Sequence, residues 1–304
     1  MSLQRITDIP QLPPRQPDSH KGNYGRVLII GGSRGLLGAP SLTANAALRA
    51  GAGLVTVAAP EGVQPFIATL CPCATTIALP ETRNGVLYPA KALTRIFHTG
   101  IFNETRLPDV IAAGPGLARG PAGFDESWIE LLQRLILEYE IPCVIDADGL
   151  NALPVFDLER DRASNDERKW PRCILTPHPG EMARLCNTDI ATVQQHREEM
   201  ASKLAQRLDP DNSSVVVLKG NQTIVTDGRR VYTNDTGNPG MATGGSGDVL
   251  TGIIAALVGQ GMSLFDAAIA GVNVHGRAGD AATLARSPVS MIASDIIEHL
   301  SNVL

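Results

Sequence analysis

Asn238-Pro239-Gly240-Met241-Ala242-Thr243-Gly244-Gly245-Ser246-Gly247-Asp248 runs directly into an apolar helical stretch, Val249 to Val258. A glycine-rich loop that opens a helix is a ready anion cradle. Its closely spaced glycines carry no Cβ, so the backbone can approach a ligand and adopt left-handed dihedrals. The helix that follows begins with unpaired N–H groups and a partial positive charge, which suits phosphate. One carboxylate, Asp248, stands where loop becomes helix. An acid beside a phosphate site repels its ligand unless it has a task, such as taking the proton of a hydroxyl that attacks phosphorus. Aspartate is also a preferred helix N-cap. The motif alone admits both roles, and they can coexist.

Upstream of this loop, short β-branched runs alternate with helical patterns. Arg26–Ile30, Leu54–Ala58, Asp109–Ala113, Cys143–Asp146, Cys173–Thr176 and Val215–Leu218 read as strands. Most are too continuously apolar to have a wet face, so they belong in a parallel sheet covered on both sides. Helices are expected near Pro40–Ala50, Pro89–Thr99, Asp125–Tyr139 and Ala191–Leu208, with Pro40 in a first turn. Thr223–Thr226 and Val231–Thr233 flank Asp227-Gly228, a hairpin expected at the sheet's edge. Downstream the chain turns helical: Asp248–Val258, Leu264–Ala278, where Ser263 and Asp266 resemble a capping box, and Met291–Leu300. The alternation predicts an α/β protein: a three-layer, doubly wound, mostly parallel sheet in a single domain over 1–304. Residues 157–169, dense in Asp, Glu and Arg, read as a solvated insertion.

Composition removes several functions. A net charge of −5 and 4% aromatic residues leave neither a basic footprint nor a stacking platform for nucleic acid. The five cysteines include Cys143 and Cys173, which lie in apolar runs as buried thiols. Cys71-Pro72-Cys73 has no second Cys/His pair, so no metal site is read from it. Residues 1–19 are polar and proline-rich, without the apolar core of a signal peptide, and no apolar run is long enough to span a bilayer. The expectation is a cytoplasmic protein without a membrane partner.

In a doubly wound sheet, ligands bind beyond the carboxyl ends of the strands. That rule gathers Gly31–Gly38, Gly114–Gly120, Asp146–Asn151, Pro177–Glu181 and Lys219–Thr223 around one crevice. Gly31-Gly32-Ser33-Arg34-Gly35-Leu36-Leu37-Gly38 has the wrong spacing for a dinucleotide fingerprint, and Ala58-Ala59 stand where its acidic residue belongs. No P-loop occurs. The loop is a tight strand-to-helix turn whose N–H groups suit a ligand phosphate. Lys219-Gly220-Asn221-Gln222-Thr223 starts at a strand end, where Lys219 is either a solvated lysine at a turn or a point-charge donor to phosphate. Thr176-Pro177-His178-Pro179-Gly180-Glu181 is stiffened by two prolines; His178 could hydrogen-bond substrate and Glu181 could hold Mg²⁺ through water. Asp146 and Asp148 fall on one face if the chain stays extended. Asp148 reads as a helix cap, and Asp146 is left open. His98, His196, His275 and His299 show no convergent partners.

Taken in order, Gly22-Asn23-Tyr24-Gly25 leading into Val27–Gly32, Ala113-Gly114-Pro115-Gly116-Leu117, Asp146-Ala147-Asp148, Thr176–Glu181, Lys219–Thr223 and Asn238–Asp248 resemble the ADP- or ATP-dependent NAD(P)H-hydrate dehydratase family of the ribokinase-like superfamily. The resemblance runs from about His20 to the carboxyl terminus. It implies that Ala39, Gly116, His178 and Asp248 contact the hydrated nicotinamide dinucleotide. Lys219 to Thr223 and Asn238 to Gly247 would hold the adenine nucleotide. It further implies Mg²⁺, ADP or ATP as co-substrate with a lean toward ADP, a homotetramer, and a separate epimerase acting on the same substrates. About two dozen residues precede the motif region, so a free-standing dehydratase without the epimerase domain is expected. Arg119 departs from the glycine common in the family, which leaves that loop's conformation open.

The implied activity removes water from the S epimer of NADHX or NADPHX. Hydroxide leaves poorly, so phosphorylating the hydroxyl first makes sense of a site with one base and an anion loop. Two other readings use the same loop. A small-molecule kinase would keep its phosphoester, and a nucleotide-sensing protein would turn nothing over.

Overall fold

The computed structural model describes residues 3–97, 102–103, 107–118, 126–158, 170, 172–209 and 213–304. The strands are β1 (Gln4–Arg5), β2 (Arg26–Ile30), β3 (Leu54–Pro60), β4 (Thr75–Leu79), β5 (Val110–Ala113), β6 (Cys143–Ile145), β7 (Cys173–Leu175), β8 (Val215–Leu218), β9 (Ile224–Thr226) and β10 (Arg230–Thr233). Among the described residues they form one sheet in the order β1-β10-β9-β8-β7-β6-β5-β2-β3-β4. Neighbours from β8 through to β4 pair in parallel. The helices are α1 (Gly38–Arg49), α2 (Gln64–Leu70), α3 (Pro89–Phe97), α4 (Glu126–Leu137), α5 (Asp148–Ala152), α6 (Pro179–Leu185), α7 (Ile190–Gln195), α8 (Arg197–Leu208), α9 (Ser246–Gly259), α10 (Leu264–Ala285) and α11 (Ala293–His299).

Strand β2 shows why the sheet is sandwiched. Its apolar run has no polar alternation, so both faces need cover. Val27 and Ile29 enter one core with α1, α9, α10 and α11; Leu28 and Ile30 enter the other with α3, α4, α6 and α8. All four side chains are fully buried. This is the three-layer, doubly wound architecture that the alternation predicts.

Helix α9 is buried almost all round and presses tightly on α1. A Cβ at Gly252 would overlap the Thr43 carbonyl oxygen and come within 2.9 Å of the Ala46 Cβ. Small residues at this crossing let the two helices touch at backbone distance, and Thr43 Oγ1 lies 3.0 Å from the Asp248 carbonyl oxygen. The first turn of α9 is thus seated on α1.

Two expectations change. The β9–β10 hairpin turns at Asp227-Gly228 but is not the edge, because β1 pairs in parallel with β10 outside it. The helix expected over Ala191–Leu208 is two helices, broken at His196, whose backbone leaves the helical region (φ −125°, ψ 38°). Strand β4 and helix α2 were not read from sequence: β4 is a threonine-rich edge strand of mixed burial, without a clean period. The insertion lies outside the described residues beyond Leu158, as do Arg119 and His98.

Candidate active site

Five consecutive sheet neighbours, β8-β7-β6-β5-β2, deliver their carboxyl ends to one side. The ladder continues for one residue past several strands: Lys219 N–H donates to Pro177 O at 2.9 Å, Thr176 N–H to Ile145 O at 3.1 Å, and Asp146 N–H to Ala113 O at 3.1 Å. The loops expected around one crevice are therefore tied to one another at their roots.

At the centre is Asp146, just beyond β6 and buried (1% exposed). Lys219 Nζ donates to its Oδ1 at 2.7 Å, Thr176 Oγ1 donates to Oδ1 at 2.7 Å, and Thr251 Oγ1 donates to Oδ2 at 2.8 Å. Burial pushes this carboxyl up, but the Lys219 charge and three hydrogen bonds outweigh it and hold it below the ordinary aspartate value. Lys219 mirrors this: burial pulls it down, while Asp146, Glu181 and Asp248 together hold it above the ordinary lysine value. Its ammonium lies 3.9 Å from Glu181 Oε2 as well. So Lys219 is a buried hub whose charge is already shared with carboxylates before any phosphate arrives.

Asp146 and Asp148 do not share a face. The chain turns at Ala147 (φ 50°), and Asp148 becomes the first residue of α5. Nor does Asp148 cap that helix, since Ala147 holds the N-cap position. Its carboxylate instead accepts from Ala118 N–H and Asn151 Nδ2, each at 3.1 Å, and so braces the loop after β5.

The glycine loop starts with a 3₁₀ turn, Pro239–Met241, capped by Asn238, whose Oδ1 accepts from Gly240 N–H at 3.0 Å. It ends at Gly245, the N-cap of α9, in the left-handed region (φ 90°). Gly245 has no side chain to satisfy the first N–H groups of α9, which leaves them for an anion. A Cβ on Gly247 would sit 3.2 Å from Lys219 Nζ, so the first turn of α9 rides directly over the ammonium. Ala242 and Gly244 are exposed, and a Cβ on Gly244 would meet open space.

Asp248 is the third residue of α9, so the N-cap alternative does not hold. Its carboxyl is half-buried. Burial and the nearby Asp146 charge push it up to about 7, with Lys219 pulling in the other direction. A carboxyl that titrates near neutrality suits proton transfer at physiological pH.

His178 is the N-cap of α6, and its Nδ1 accepts from Gly180 N–H at 3.0 Å and Glu181 N–H at 3.2 Å. Glu181 Oε2 returns the bond by accepting from His178 N–H at 2.8 Å. This reciprocal box fixes Nδ1 as acceptor, while Nε2 lies 3.5 Å from Glu181 Oε1 on a side chain that is half-exposed. Burial raises Glu181 to about 7 against the pull of Lys219. Gly116 (φ 68°) and Ala39 are brought together, since a Cβ on Gly116 would lie 3.2 Å from the Ala39 Cβ.

In the Lys219–Thr223 turn, Asn221 and Gln222 are exposed. The turn is held from beneath by Arg197, whose Nη2 donates to Leu218 O at 3.1 Å and Lys219 O at 3.4 Å. Arg197 was missed in sequence, where it reads as an ordinary residue inside the helix expected over Ala191–Leu208. His275 needs a correction. It has a partner in the site: its Nε2 lies 3.4 Å from Ser246 Oγ, and burial lowers its pKa to about 4, so it stays neutral. Cys71 is buried and Cys73 exposed, and no group of three or more His, Cys, Asp or Glu able to hold a metal occurs among the described residues. No helix among those residues is long and apolar enough to cross a membrane.

The chain is similar to known proteins along most of its length. The NAD(P)H-hydrate dehydratase family model matches residues 27–302. The bifunctional NAD(P)H-hydrate repair enzyme Nnr of Moorella thermoacetica is 47% identical over 296 residues, covering 97% of this chain and 52% of that protein. The ADP-dependent (S)-NAD(P)H-hydrate dehydratase of Neisseria meningitidis is 37% identical over 268 residues, 88% of this chain and 80% of that one. Among solved structures, the ADP/ATP-dependent NAD(P)H-hydrate dehydratase from Bacillus subtilis co-crystallized with ATP/Mg²⁺ superposes with a TM-score of 0.76 at 31% identity, covering 96% of this chain and 93% of that one. This chain spans about half the length of the bifunctional relatives it matches. With its matched region running nearly end to end, the chain belongs to the NAD(P)H-hydrate dehydratase family.

Proposed function

We propose that this protein is an ADP-dependent (S)-NAD(P)H-hydrate dehydratase that restores NADHX and NADPHX to NADH and NADPH. One observation carries the reading. A carboxyl titrating near 7, Asp248, projects from the first turn of α9, the turn that overlies the Lys219 ammonium.

The substrate hydroxyl attacks the terminal phosphorus of the nucleotide while Asp248 accepts its proton, and the bond to the nucleotide's leaving oxygen breaks. The α9 N–H groups and Lys219 stabilise the charge that spreads over the transferring group. The ring nitrogen's lone pair then expels the phosphate ester as inorganic phosphate, and loss of a ring proton restores the dihydronicotinamide. Ala39, Gly116 and the Nε2 edge of His178 position the hydrated ring. Lys219–Thr223 and Asn238–Gly247 hold the adenine nucleotide.

Mg²⁺ keeps several waters and takes few carboxylates beside phosphate oxygens. Glu181 fits that demand: a buried carboxylate, restrained by His178 N–H, able to reach the cation through water. When bound, Mg²⁺ supplies charge neutralisation on the phosphates. A cytoplasmic homotetramer, with a separate epimerase supplying the S epimer, belongs to the same reading.

The test is direct. The protein is incubated with NADHX or NADPHX and with ADP or ATP, while absorbance of the reduced ring and free phosphate are followed. Matched recovery of both supports the reading. A stable phosphoester product identifies a kinase instead, and binding without turnover identifies a sensor.

A further inference from the structure

The expected nucleotide loop is fastened at both ends to a single stretch of α10. At its start, Gly237 N–H donates to Asp280 Oδ2 at 2.9 Å and Asn238 Nδ2 donates to Asp280 Oδ1 at 3.0 Å. One carboxylate thus grips two consecutive residues, and Gly237 needs its positive φ (103°) to present the N–H. The same Asn238 side chain caps the following turn, so Asp280 orients the residue that shapes the loop. Packing repeats the message. A Cβ at Gly279 would overlap Met241 Sδ, and one at Gly276 would overlap Thr236 Oγ1. At the loop's far end, His275 Nε2 faces Ser246 Oγ at 3.4 Å. Positions 275, 276, 279 and 280 share one helical stripe, because residues three and four apart are neighbours on a helix surface.

The geometry points to Asp280 and His275 as positioning residues that hold the adenine-nucleotide loop in its receptive shape from outside the reacting centre. Neither touches the expected reacting atoms, and no loop residue supplies these two anchors itself. A carboxylate at 280 offers a separate acceptor oxygen to each of the two donors. An imidazole that stays neutral can hold the Ser246 hydroxyl without placing a second cation beside Lys219. The inference rests on the proposed function for the loop's ligand, but not for the anchoring itself.

The test uses the full chain carrying Asp280→Ala, Asp280→Asn or His275→Phe. Hydrogen–deuterium exchange of the ligand-free protein is followed by mass spectrometry. Asp280→Ala should speed exchange in peptides spanning 236–245 and leave peptides of β6 and β8 unchanged, with Asp280→Asn intermediate because one acceptor survives. His275→Phe should act on peptides at 245–249. Direct titration with ADP should show binding weakened about ten- to a hundredfold in Asp280→Ala. KM for the nucleotide should rise at least tenfold more than KM for NADHX. Unchanged exchange in the loop, or acceleration spread across the whole domain, overturns the proposal. Exchange is read without ligand, so it gives its answer even if the wild type turns over no NADHX, which would sink only the functional reading.

Discussion

Lys219 Nζ sits 2.7 Å from Asp146 Oδ1, and the carboxylate it binds is 1% exposed. The two residues are 73 positions apart in sequence, just after β6 and β8, with β7 between those strands in the sheet. Their pairing joins the floor of the site to the ammonium that the first turn of α9 covers. Removing one partner of such a pair leaves an uncompensated buried charge, which costs far more than the intact pair contributes.

Asp146→Ala should therefore destabilise the protein by about 3–5 kcal/mol at neutral pH. The sign with pH follows from the two shifts. Asp146 is held below its ordinary value, so its contribution is present above about 4 and lost as pH falls through the lowered value. Lys219 is raised, so its contribution is present below its ordinary value and lost only at strongly alkaline pH. Urea melts of wild type and variant should converge as pH falls below the ordinary aspartate value and differ most around neutral pH.

Asp248→Asn should lower turnover of NADHX by about 10²–10⁴-fold, the range for loss of a positioned general base. Direct ADP titration should show nucleotide binding largely intact. Near-normal turnover would refute the base assignment.

Because Asp248 must be ionised to accept a proton and titrates near 7, kcat/KM should fall on the acid side with an apparent pKa close to 7. A profile flat from pH 5 to 8 would place the base elsewhere.

The same shift has an opposite sign for folding. Asp248 is raised from 3.8 to about 7, so the fold favours its protonated form; that contribution is complete below about 4 and lost as pH rises through 7. Asp248→Asn should remove this penalty and raise Tm of the ligand-free protein at pH 8, reflecting a stabilisation of roughly 1–2 kcal/mol after allowing for partial exposure. At pH 4 the two proteins should melt together. A site that is costly when empty and gains function from the cost is a familiar trade.

Gly247→Ala should weaken nucleotide binding more than it unfolds the protein. The added methyl would stand 3.2 Å from Lys219 Nζ, between the first turn of α9 and the ammonium. ADP titration with a parallel thermal melt distinguishes the two effects.

The parallel sheet was legible because its strands are unbroken apolar runs, as in Val215–Leu218, which only a doubly covered sheet tolerates. The carboxyl-end rule then placed Asp146, His178 and Lys219 together without any knowledge of contacts. What stayed hidden was long-range pairing. Asp280 reaches residues 42 and 43 positions upstream, His275 reaches Ser246 across 29, and Arg197 braces a turn more than 20 residues away. Each lies on a helix where its type and spacing look ordinary. The only hint was the small pair Gly276 and Gly279, three apart on α10, which marks a face where another backbone comes close. Asp148 misled because an Asp at a strand end before a helix fits a cap, whereas the sharp turn at Ala147 moved it one place inward.

Gly252 lies one helical turn beyond Asp248, jammed against the backbone of α1. Any side chain there would lever the base off its seat before it disturbed the sheet. Catalytic alignment in this protein is therefore set by interior crowding as much as by polar contacts, and a methyl group placed out of sight of every ligand should read out as lost chemistry.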